Sequence, residues 1–193
     1  MTEPFETFAQ WFEEAQALSE LKEPTAMSLA TCTADGKPSC RIILLKHYDE
    51  RGFVFYTNHN GRKSQEIYEN PNAALCFYWM PIGKQIRIEG AVEKVSDEEA
   101  DAYFASRRRG SQIGAWASHQ SEPLASREEL EQRIADVEAK YEAQDVPRPP
   151  HWHGWRLAPN RIEFWNEGDF RIHDRWVYTK NDSGGWVKTL LNP

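Results

Sequence analysis

The sequence has few cysteines and no long apolar run. Its three cysteines, Cys32, Cys40 and Cys76, form no C-x-x-C pair, which argues against a zinc ribbon and a disulfide scaffold. The longest uninterrupted apolar stretch runs from Ala73 to Met80, far short of the ~18 residues needed to span a membrane. Residues 1–25 contain no apolar segment flanked by basic residues, so no secretory signal is visible. These absences predict a cytoplasmic protein without a membrane segment.

Several common enzyme signatures are also missing. The sequence contains no G-x-G-x-x-G, Walker A loop, H-E-x-x-H or G-x-S-x-G. Dinucleotide-binding, P-loop, zinc-protease and serine-hydrolase chemistry therefore lose support. His151 and His153 lie beside two prolines with no third ligand in reach, so they are interpreted as loop residues and no metal site is expected.

The net charge of −7 argues against a general nucleic-acid binder. Acidic residues are concentrated in residues 1–24 and 126–145, which carry 13 of the 30 acidic residues but only 4 of the 23 basic ones. The rest of the chain is slightly basic, and its basic residues occur in clusters. This distribution is typical of sites for small anions rather than of a DNA-binding face.

The hydrophobic pattern predicts many short strands and few helices. Strands are predicted over 27–33, 40–47, 53–57, 73–79, 84–95, 155–157, 161–165, 170–178 and 186–191. Helices are predicted over 5–18 and 62–69, and after capping boxes at 96–99 and 126–129. Helices fall between groups of strands rather than after every strand. The prediction is therefore an antiparallel, mainly β barrel with packed helices, with the 40–47 strand buried on both sides.

Two basic clusters lie in the first half of the chain. Arg41 and Lys46 flank an apolar strand and, on an ideal strand, point to opposite faces. They are either strand-end charges that reach water or the centres of two separate anion sites. Arg62 and Lys63 follow Gly61 at a predicted helix start, where backbone N–H groups and basic side chains can cradle a phosphate. An exposed helix start with two ordinary charges is the alternative.

A third cluster contains Tyr103, Arg107 and Ser111. If the helix that begins near residue 96 persists, these three side chains share one face. A phenol, a guanidinium and a hydroxyl together suit one phosphate. A solvated helix end and a nucleic-acid patch are the alternatives.

The fourth cluster contains Arg171, His173 and Arg175. At strand spacing, all three side chains project from one face. Three aligned potential cations repel one another unless an anion or an electron-rich ring lies against them. This cluster therefore predicts a ligand-binding strand face.

Several short motifs, taken together, point to a known family. They are R-I-I-L-L-K at 41–46, F-Y-T-N at 55–58, R-K at 62–63, S-Q-I-G-A-W at 111–116, I-E-F-W at 162–165 and R-I-H-D-R at 171–175. With these motifs, from about residue 24 to the C-terminus, the chain resembles the pyridoxamine 5′-phosphate oxidases, the FMN enzymes of vitamin B6 metabolism. S-Q-I-G-A and R-x-H-D-R, in this order and separation, are highly specific together.

The resemblance implies a split β-barrel homodimer with FMN at two sites between the subunits. It implies a single domain over 1–193, with an N-terminal helix within 1–24 and dimerisation and active-site strands within 146–193. One subunit would hold FMN with Arg41, Ile42, Tyr56, Thr57, Arg62, Lys63 and Gln85. The other subunit would complete that site with Gln120, Ser121, Trp165 and Arg175. The substrate phosphate would be held by Lys46, Tyr103, Arg107 and Ser111, and the pyridine ring by Arg171 and His173 as catalytic residues.

The implied activity is oxidation of pyridoxamine or pyridoxine 5′-phosphate to pyridoxal 5′-phosphate, with O2 reduced to hydrogen peroxide. Two features depart from the family pattern. The start of the sequence shows no R-x-x-Y segment, and Leu190 stands where the family has the arginine of a terminal R-L-x-P. A relative that oxidises another ring, such as a phenazine precursor, and a non-catalytic binder of FMN or pyridoxal phosphate are the alternatives.

Overall fold

The architecture is one curled antiparallel sheet with helices packed around it. The computed structural model describes residues 2–193. Within this range, helices α1 to α5 span Glu3–Gln16, Arg62–Glu69, Asp97–Ser106, Arg109–Ala117 and Arg127–Lys140. Strands β1 to β9 span Ala26–Cys32, Pro38–Leu44, His47–Asp49, Gly52–Asn58, Asn72–Trp79, Lys84–Lys94, Trp152–Asn166, Asp174–Lys180 and Trp186–Leu191. The predicted antiparallel barrel with packed helices is confirmed.

The sheet closes on itself because its two end strands are consecutive in the chain. The strand order is β2-β1-β5-β6-β7-β4-β3, so β2 and β3 lie at opposite ends of the path. Leu45 and Lys46 alone link them, and their N–H groups donate to Thr25 O and Val54 O, both at 2.9 Å. A link this short spans only about 10 Å, so the sheet has to curl until its ends meet.

The longest strand, β7, makes the sheet fork. One edge of β7 pairs with β6 from Trp155 to Asn166. Its other edge pairs with β4 over Trp152–Leu157 and then with β8 over Arg161–Asn166. Strands β8 and β9 therefore form a branch of the sheet, which packs against the core through Trp176, Tyr178 and Trp186. Strand β7 itself is continuous from Trp152 to Asn166, where the sequence had predicted two separate strands over 155–157 and 161–165. The prediction of loop chemistry at His151 and His153 is wrong for His153, which is buried in β7.

A bulge allows β7 to continue through Pro159. The register between β6 and β7 shifts between Glu89 and Gly90, and Gly90 lies opposite Pro159. A Cβ on Gly90 would lie 2.1 Å from the Ala158 carbonyl oxygen. Only glycine permits this approach of the two backbones.

Aromatic side chains fill the barrel beneath α1. Phe5, Phe8 and Phe12 lie on one face of α1, as the sequence predicts, and all three are buried. The Phe8 ring meets the Phe53 ring edge-on at 4.9 Å and the Phe77 ring at 5.5 Å. Burial of each of these side chains contributes about 1.5–3 kcal/mol to the stability of the fold. Helix α1 therefore stabilises the barrel by covering one of its ends. None of the helices within residues 2–193 is both long and apolar enough to cross a membrane.

The prediction that the 40–47 strand is buried on both sides is wrong. The strand ends at Leu44, and β2 has β1 as its one neighbour in the sheet. One of its two faces is uncovered in the single chain, where Ile42 is 66% exposed. An apolar run of this kind predicts burial but cannot identify what covers an edge strand.

We expect Gly90→Ala to destabilise the protein. The new Cβ would collide with a backbone oxygen, which cannot turn aside, so the free energy of unfolding should fall by at least about 2 kcal/mol. Gly110→Ala in α4 is the control, because nothing lies within 4 Å of that Cβ, and it should be neutral or stabilising. Urea unfolding measures both variants, and equal stabilities would contradict the role given to the bulge.

Candidate active site

Nine of the predicted site residues fall into two groups at opposite ends of β7. We call them the β4 group, which contains Arg41, Thr57, Arg62, Lys63 and Gln120, and the β8 group, which contains Gln85, Trp165, His173 and Arg175. Thr57 pairs with His153 near the start of β7, whereas Gln85 pairs with Trp165 near its end. At ~3.3 Å per residue, about 40 Å of strand separates these pairing positions.

Lys63 occupies the centre of the β4 group. Its Nζ donates to Gln120 Oε1 at 2.7 Å and to Thr57 Oγ1 at 3.1 Å, both neutral acceptors. Burial, with a smaller effect from the charge of Arg41, lowers the pKa of Lys63. A bound anion would oppose both effects, so this ammonium group suits an anionic ligand.

A buried carboxylate, Glu66, holds the two arginines of the β4 group. Its Oε1 accepts from Arg62 Nε at 2.9 Å, and its Oε2 accepts from Arg41 Nη2 at 3.3 Å. The hydroxyl groups of Thr31 and Ser39 also donate to Oε2. Burial alone would raise the pKa of Glu66, but these hydrogen bonds outweigh it and lower the pKa to about 2. Three cations against one carboxylate leave two positive charges, which matches a phosphate dianion.

The start of α2 adds backbone donors to the same place. Gly61 is the N-cap residue and supplies no side-chain cap. The Arg62 backbone N–H points to Ser121 Oγ at 3.4 Å, and a Cβ on Gly61 would lie 2.7 Å from Gln120 Oε1. The helix start, Arg41, Arg62 and Lys63 together form what we call the phosphate cradle.

A cavity of about 380 Å³ adjoins the cradle. It is lined by Tyr56, Thr57, Asn58, Arg107, Ser111, Gly114, Ala115, Ser118, Gln120 and Trp152. Thr57 and Gln120 also contact Lys63, so the cavity and the cradle share a wall. The volume is that of a small-molecule site.

Arg107 gives this cavity an unsatisfied cation. Its Nη1 is buried and has no hydrogen-bond partner among residues 2–193. The guanidinium lies over the Trp152 ring, 4.7 Å from its centroid, and burial lowers the pKa of Arg107. A buried donor without a partner costs about 1–3 kcal/mol, more when it is charged, so the geometry favours an anion beside Arg107.

The predicted single helix face through Tyr103, Arg107 and Ser111 is wrong. Helix α3 ends at Ser106, Arg107 is extended at φ −72° and ψ 149°, and α4 begins at Arg109. The kink nevertheless places Arg107 and Ser111 on the wall of one cavity. Tyr103 lies behind that wall and stacks on Tyr56 at 4.1 Å. Burial raises the pKa of Tyr56 to about 12, so its phenol stays protonated.

The β8 group forms a row across three strands. Gln85 on β6 pairs with Trp165 on β7, which pairs with Arg175 on β8. Arg175 donates through Nε and Nη2 to Glu163 Oε1 at 3.0 and 2.8 Å. Burial alone would raise the pKa of Glu163, but hydrogen bonds from Arg175 and Arg161 lower it. The buried carboxylate fixes the direction of the Arg175 guanidinium.

His173 lies against Trp165, with their ring centroids 4.5 Å apart. The Gly168 N–H donates to His173 Nδ1 at 3.2 Å. Because Nδ1 is the acceptor, the neutral ring carries its proton on Nε2. His173 therefore presents a hydrogen-bond donor from a fixed ring.

The predicted strand face through Arg171, His173 and Arg175 is also wrong. Strand β8 begins at Asp174, and Asp169–Arg171 form a turn of 3-10 helix. Phe170 and Arg171 have φ of 55° and 65°, the left-handed region that costs non-glycine residues about 1–3 kcal/mol each. Such strain occurs most often at functional sites. Phe170 is 94% exposed, and Arg171 is exposed beside it.

The division of the site residues between two subunits remains a prediction, and the contacts within one chain bear on it. Gln120 and Ser121 lie beside Lys63 and Arg62 of their own chain, whereas Gln85 lies beside Trp165.

Lys46 stands apart from both groups. It lies after β2, in a depression lined by Phe12, Gln16, Thr25, Leu45, Lys46, His47 and Tyr48. Within one chain, the structure therefore does not gather the four predicted substrate-phosphate residues into one cavity.

Three residues with evident roles in the structure were not among the site residues predicted from the sequence. Glu66 and Glu163 hold the arginines of the two groups, and the Gln112 side chain donates to Phe104 O at 3.0 Å and Ala105 O at 3.4 Å at the end of α3. All three lie in or next to the motifs that carry the resemblance. In the sequence, the spacing of four residues between Arg62 and Glu66 could have indicated an ion pair. For Glu163, the indication is a charged residue inside an apolar strand.

Solved structures place this arrangement in a known class. An FMN-binding protein related to pyridoxamine 5′-phosphate oxidase from Nostoc punctiforme superposes with a TM-score of 0.79 at 18% identity, covering 100% of this chain and 98% of that chain. PhzG from Burkholderia lata, solved with tetrahydrophenazine-1-carboxylic acid, gives a TM-score of 0.93 at 34% identity, covering 100% and 94%. The forked antiparallel barrel is thus the split β-barrel fold that these two proteins share.

Sequence comparisons narrow the class. Residues 13–141 match the pyridoxamine 5′-phosphate oxidase family model, and residues 152–193 match the pyridoxine 5′-phosphate oxidase C-terminal dimerisation region. Pyridoxine/pyridoxamine 5′-phosphate oxidases from Myxococcus xanthus and Rubrobacter xylanophilus are 58% and 56% identical, each over 99% of this chain and over 92% and 87% of their own lengths. The chain belongs to the pyridoxamine 5′-phosphate oxidase family.

Proposed function

We propose that this protein oxidises pyridoxamine 5′-phosphate and pyridoxine 5′-phosphate to pyridoxal 5′-phosphate, with FMN as cofactor and O2 as electron acceptor. The observation that carries the proposal is a cavity that Arg107 lines and that shares Thr57 and Gln120 with the phosphate cradle, with Nη1 of Arg107 buried and unpartnered beside it. Two adjoining anion sites suit the phosphate groups of FMN and of the substrate, two ligands whose rings have to lie in contact. The names of the relatives at 56–58% identity support the same reaction.

FMN fits the cradle because Lys63 has only neutral acceptors there and the N-cap residue of α2, Gly61, has no side chain to cap the helix. Arg41, Arg62 and Lys63 would hold the phosphate, with Ile42, Tyr56 and Thr57 beside the rest of the flavin. When bound, FMN supplies the hydride acceptor for the substrate's C4′ carbon and transfers the electrons to O2, which yields hydrogen peroxide. The absence of a dinucleotide fingerprint favours FMN over FAD.

The chain's own residues position the substrate. Arg107 and Ser111 would bind its phosphate, with Tyr103 supporting that wall of the cavity. Arg171 and His173 would contact its pyridine ring, His173 donating from Nε2. Positioning of this kind supplies much of the rate enhancement when the cofactor performs the chemistry.

A homodimer would unite the two groups. Since β7 separates the β4 group from the β8 group in one chain, a complete flavin site would take Gln120 and Ser121 with the cradle of one protomer, and Gln85, Trp165 and Arg175 from the other. The match of residues 152–193 to a dimerisation region supports this arrangement. A cytoplasmic location remains a prediction.

Aerobic turnover of pyridoxamine 5′-phosphate by the purified protein tests the function. We expect a yellow protein that releases FMN on denaturation and forms pyridoxal 5′-phosphate and hydrogen peroxide in equal amounts. A protein that remains colourless after incubation with FMN would contradict the cofactor. Flavin binding without turnover of the phosphorylated substrates, or turnover of a phenazine precursor alone, would favour one of the alternative functions.

We expect Arg107→Ala and Arg171→Ala to affect different kinetic constants. Arg107 contacts a phosphate that is the same in ground and transition states, so its loss should mainly raise KM. Loss of Arg171 should loosen the ring over the flavin, and misplacement by ~1 Å can lower kcat on the order of 100-fold. Steady-state kinetics with flavin content measured in parallel distinguishes them. Wild-type kcat in Arg171→Ala, or loss of its FMN, would contradict the role of Arg171.

A further inference from the structure

Glu66 presents a paradox: it is an anion inside a site for an anion. Its side chain is only 3% exposed and lies between the two arginines of the phosphate cradle. By Coulomb's law alone, a buried carboxylate there weakens phosphate binding. The hydrogen bonds that Glu66 accepts have an opposite effect, because they orient the arginines of the cradle.

All four partners of Glu66 are donors directed at its two oxygens. Arg62 Nε donates to Oε1, while Arg41 Nη2 and the hydroxyl groups of Thr31 and Ser39 donate to Oε2. An ionised carboxylate is an acceptor on both oxygens, whereas a protonated one presents an O–H donor from one of them. An amide at this position would turn an N–H2 group toward one set of donors in either orientation.

The hydroxyl groups of Thr31 and Ser39 link Arg41 to Glu66 by additional hydrogen bonds. Arg41 Nη1 donates to Thr31 Oγ1, and Arg41 Nη2 donates to Ser39 Oγ. Because both hydroxyl protons are committed to Glu66, the hydroxyl lone pairs are free to accept from the guanidinium. Arg41 is therefore held at both Nη atoms and is mostly buried, whereas the Arg62 side chain is tied at Nε and is 66% exposed.

We infer that Glu66 is the positioning residue of the phosphate cradle and strengthens phosphate binding despite its charge, because it fixes Arg41 and Arg62 in a geometry that receives the FMN phosphate. The inference rests on the proposed function in taking FMN as the ligand. Fixed donors lose less conformational entropy on binding than mobile arginine side chains do. The pKa of about 2 keeps Glu66 ionised throughout the physiological range.

Glu66→Gln separates orientation from charge. Removing a negative charge should tighten FMN binding if Coulomb attraction dominates. If orientation dominates, FMN binding should weaken about 10- to 100-fold, the effect of losing charge-assisted hydrogen bonds. Glu69→Gln is the matched control, since Glu69 lies on the same helix, is exposed, and lies near the backbone N–H of Ala34 at 3.4 Å rather than an arginine.

The experiment titrates flavin-stripped wild type, Glu66→Gln and Glu69→Gln with FMN and with riboflavin, which lacks the phosphate, and follows flavin fluorescence. We expect Glu66→Gln to weaken FMN binding while riboflavin affinity is unchanged, and Glu69→Gln to stay within about 2-fold of wild type. FMN binding by Glu66→Gln that equals or exceeds wild type would overturn the inference. So would an equal loss for both flavins, which would indicate a general structural defect.

Ser39→Ala keeps the inference testable if Glu66→Gln does not fold. Ser39 lies on edge strand β2, where its hydroxyl group accepts from Arg41 and donates to Glu66. Loss of this hydroxyl group should weaken FMN binding by about 3- to 10-fold without affecting riboflavin binding. Unchanged FMN binding in Ser39→Ala would overturn the inference that hydrogen bonds to Glu66 fix Arg41 for phosphate binding. Wild-type protein that binds no FMN would instead overturn the proposed function, which is a separate result.

Discussion

The pairing of β7 with three other strands is the constraint on which the rest of the structure depends. One edge of β7 follows β6 along its length, and the other is divided between β4 and β8. This division joins β4 to one half of β7 and the two-stranded branch of β8 and β9 to the other half. It also places two groups of predicted site residues at opposite ends of β7.

The two groups share one electrostatic design. In each, a carboxylate with almost no exposed surface holds arginine side chains: Glu66 in the β4 group and Glu163 in the β8 group. Breaking a buried pair of this kind leaves an uncompensated charge and is strongly destabilising. The arginines that would face the flavin are therefore preorganised before any ligand binds. Arg107 is the exception, because its Nη1 has no partner in the part of the chain that the structure describes.

Local patterns in the sequence predicted the elements well. The amphipathic face of α1, the helix starts capped by the side chains of Ser96 and Ser126, and most strand positions are confirmed, because each depends on neighbouring residues. The antiparallel barrel also followed from the order of strands and helices.

The errors concern long-range contacts. The continuous face through Tyr103, Arg107 and Ser111 failed because the Gln112 side chain closes the end of α3 from the next helix. The face through Arg171 and Arg175 failed because Phe170 and Arg171 adopt left-handed backbone conformations that residue type does not signal. The resemblance supplied the candidate site residues, whereas the neighbours that Gln120 and Gln85 have within one chain depend on the forked sheet. Their residue-by-residue roles remain predictions.

Subunit complementation tests the composite site most directly. Lys63→Ala disables the β4 group and Arg175→Ala disables the β8 group, so each homodimer alone should fail to retain FMN. Mixing the two chains by denaturation and refolding should restore about a quarter of the wild-type flavin sites, because half of the dimers are mixed and each mixed dimer has one intact site. No recovery of FMN binding or of pyridoxamine 5′-phosphate oxidation would contradict a site shared between two protomers.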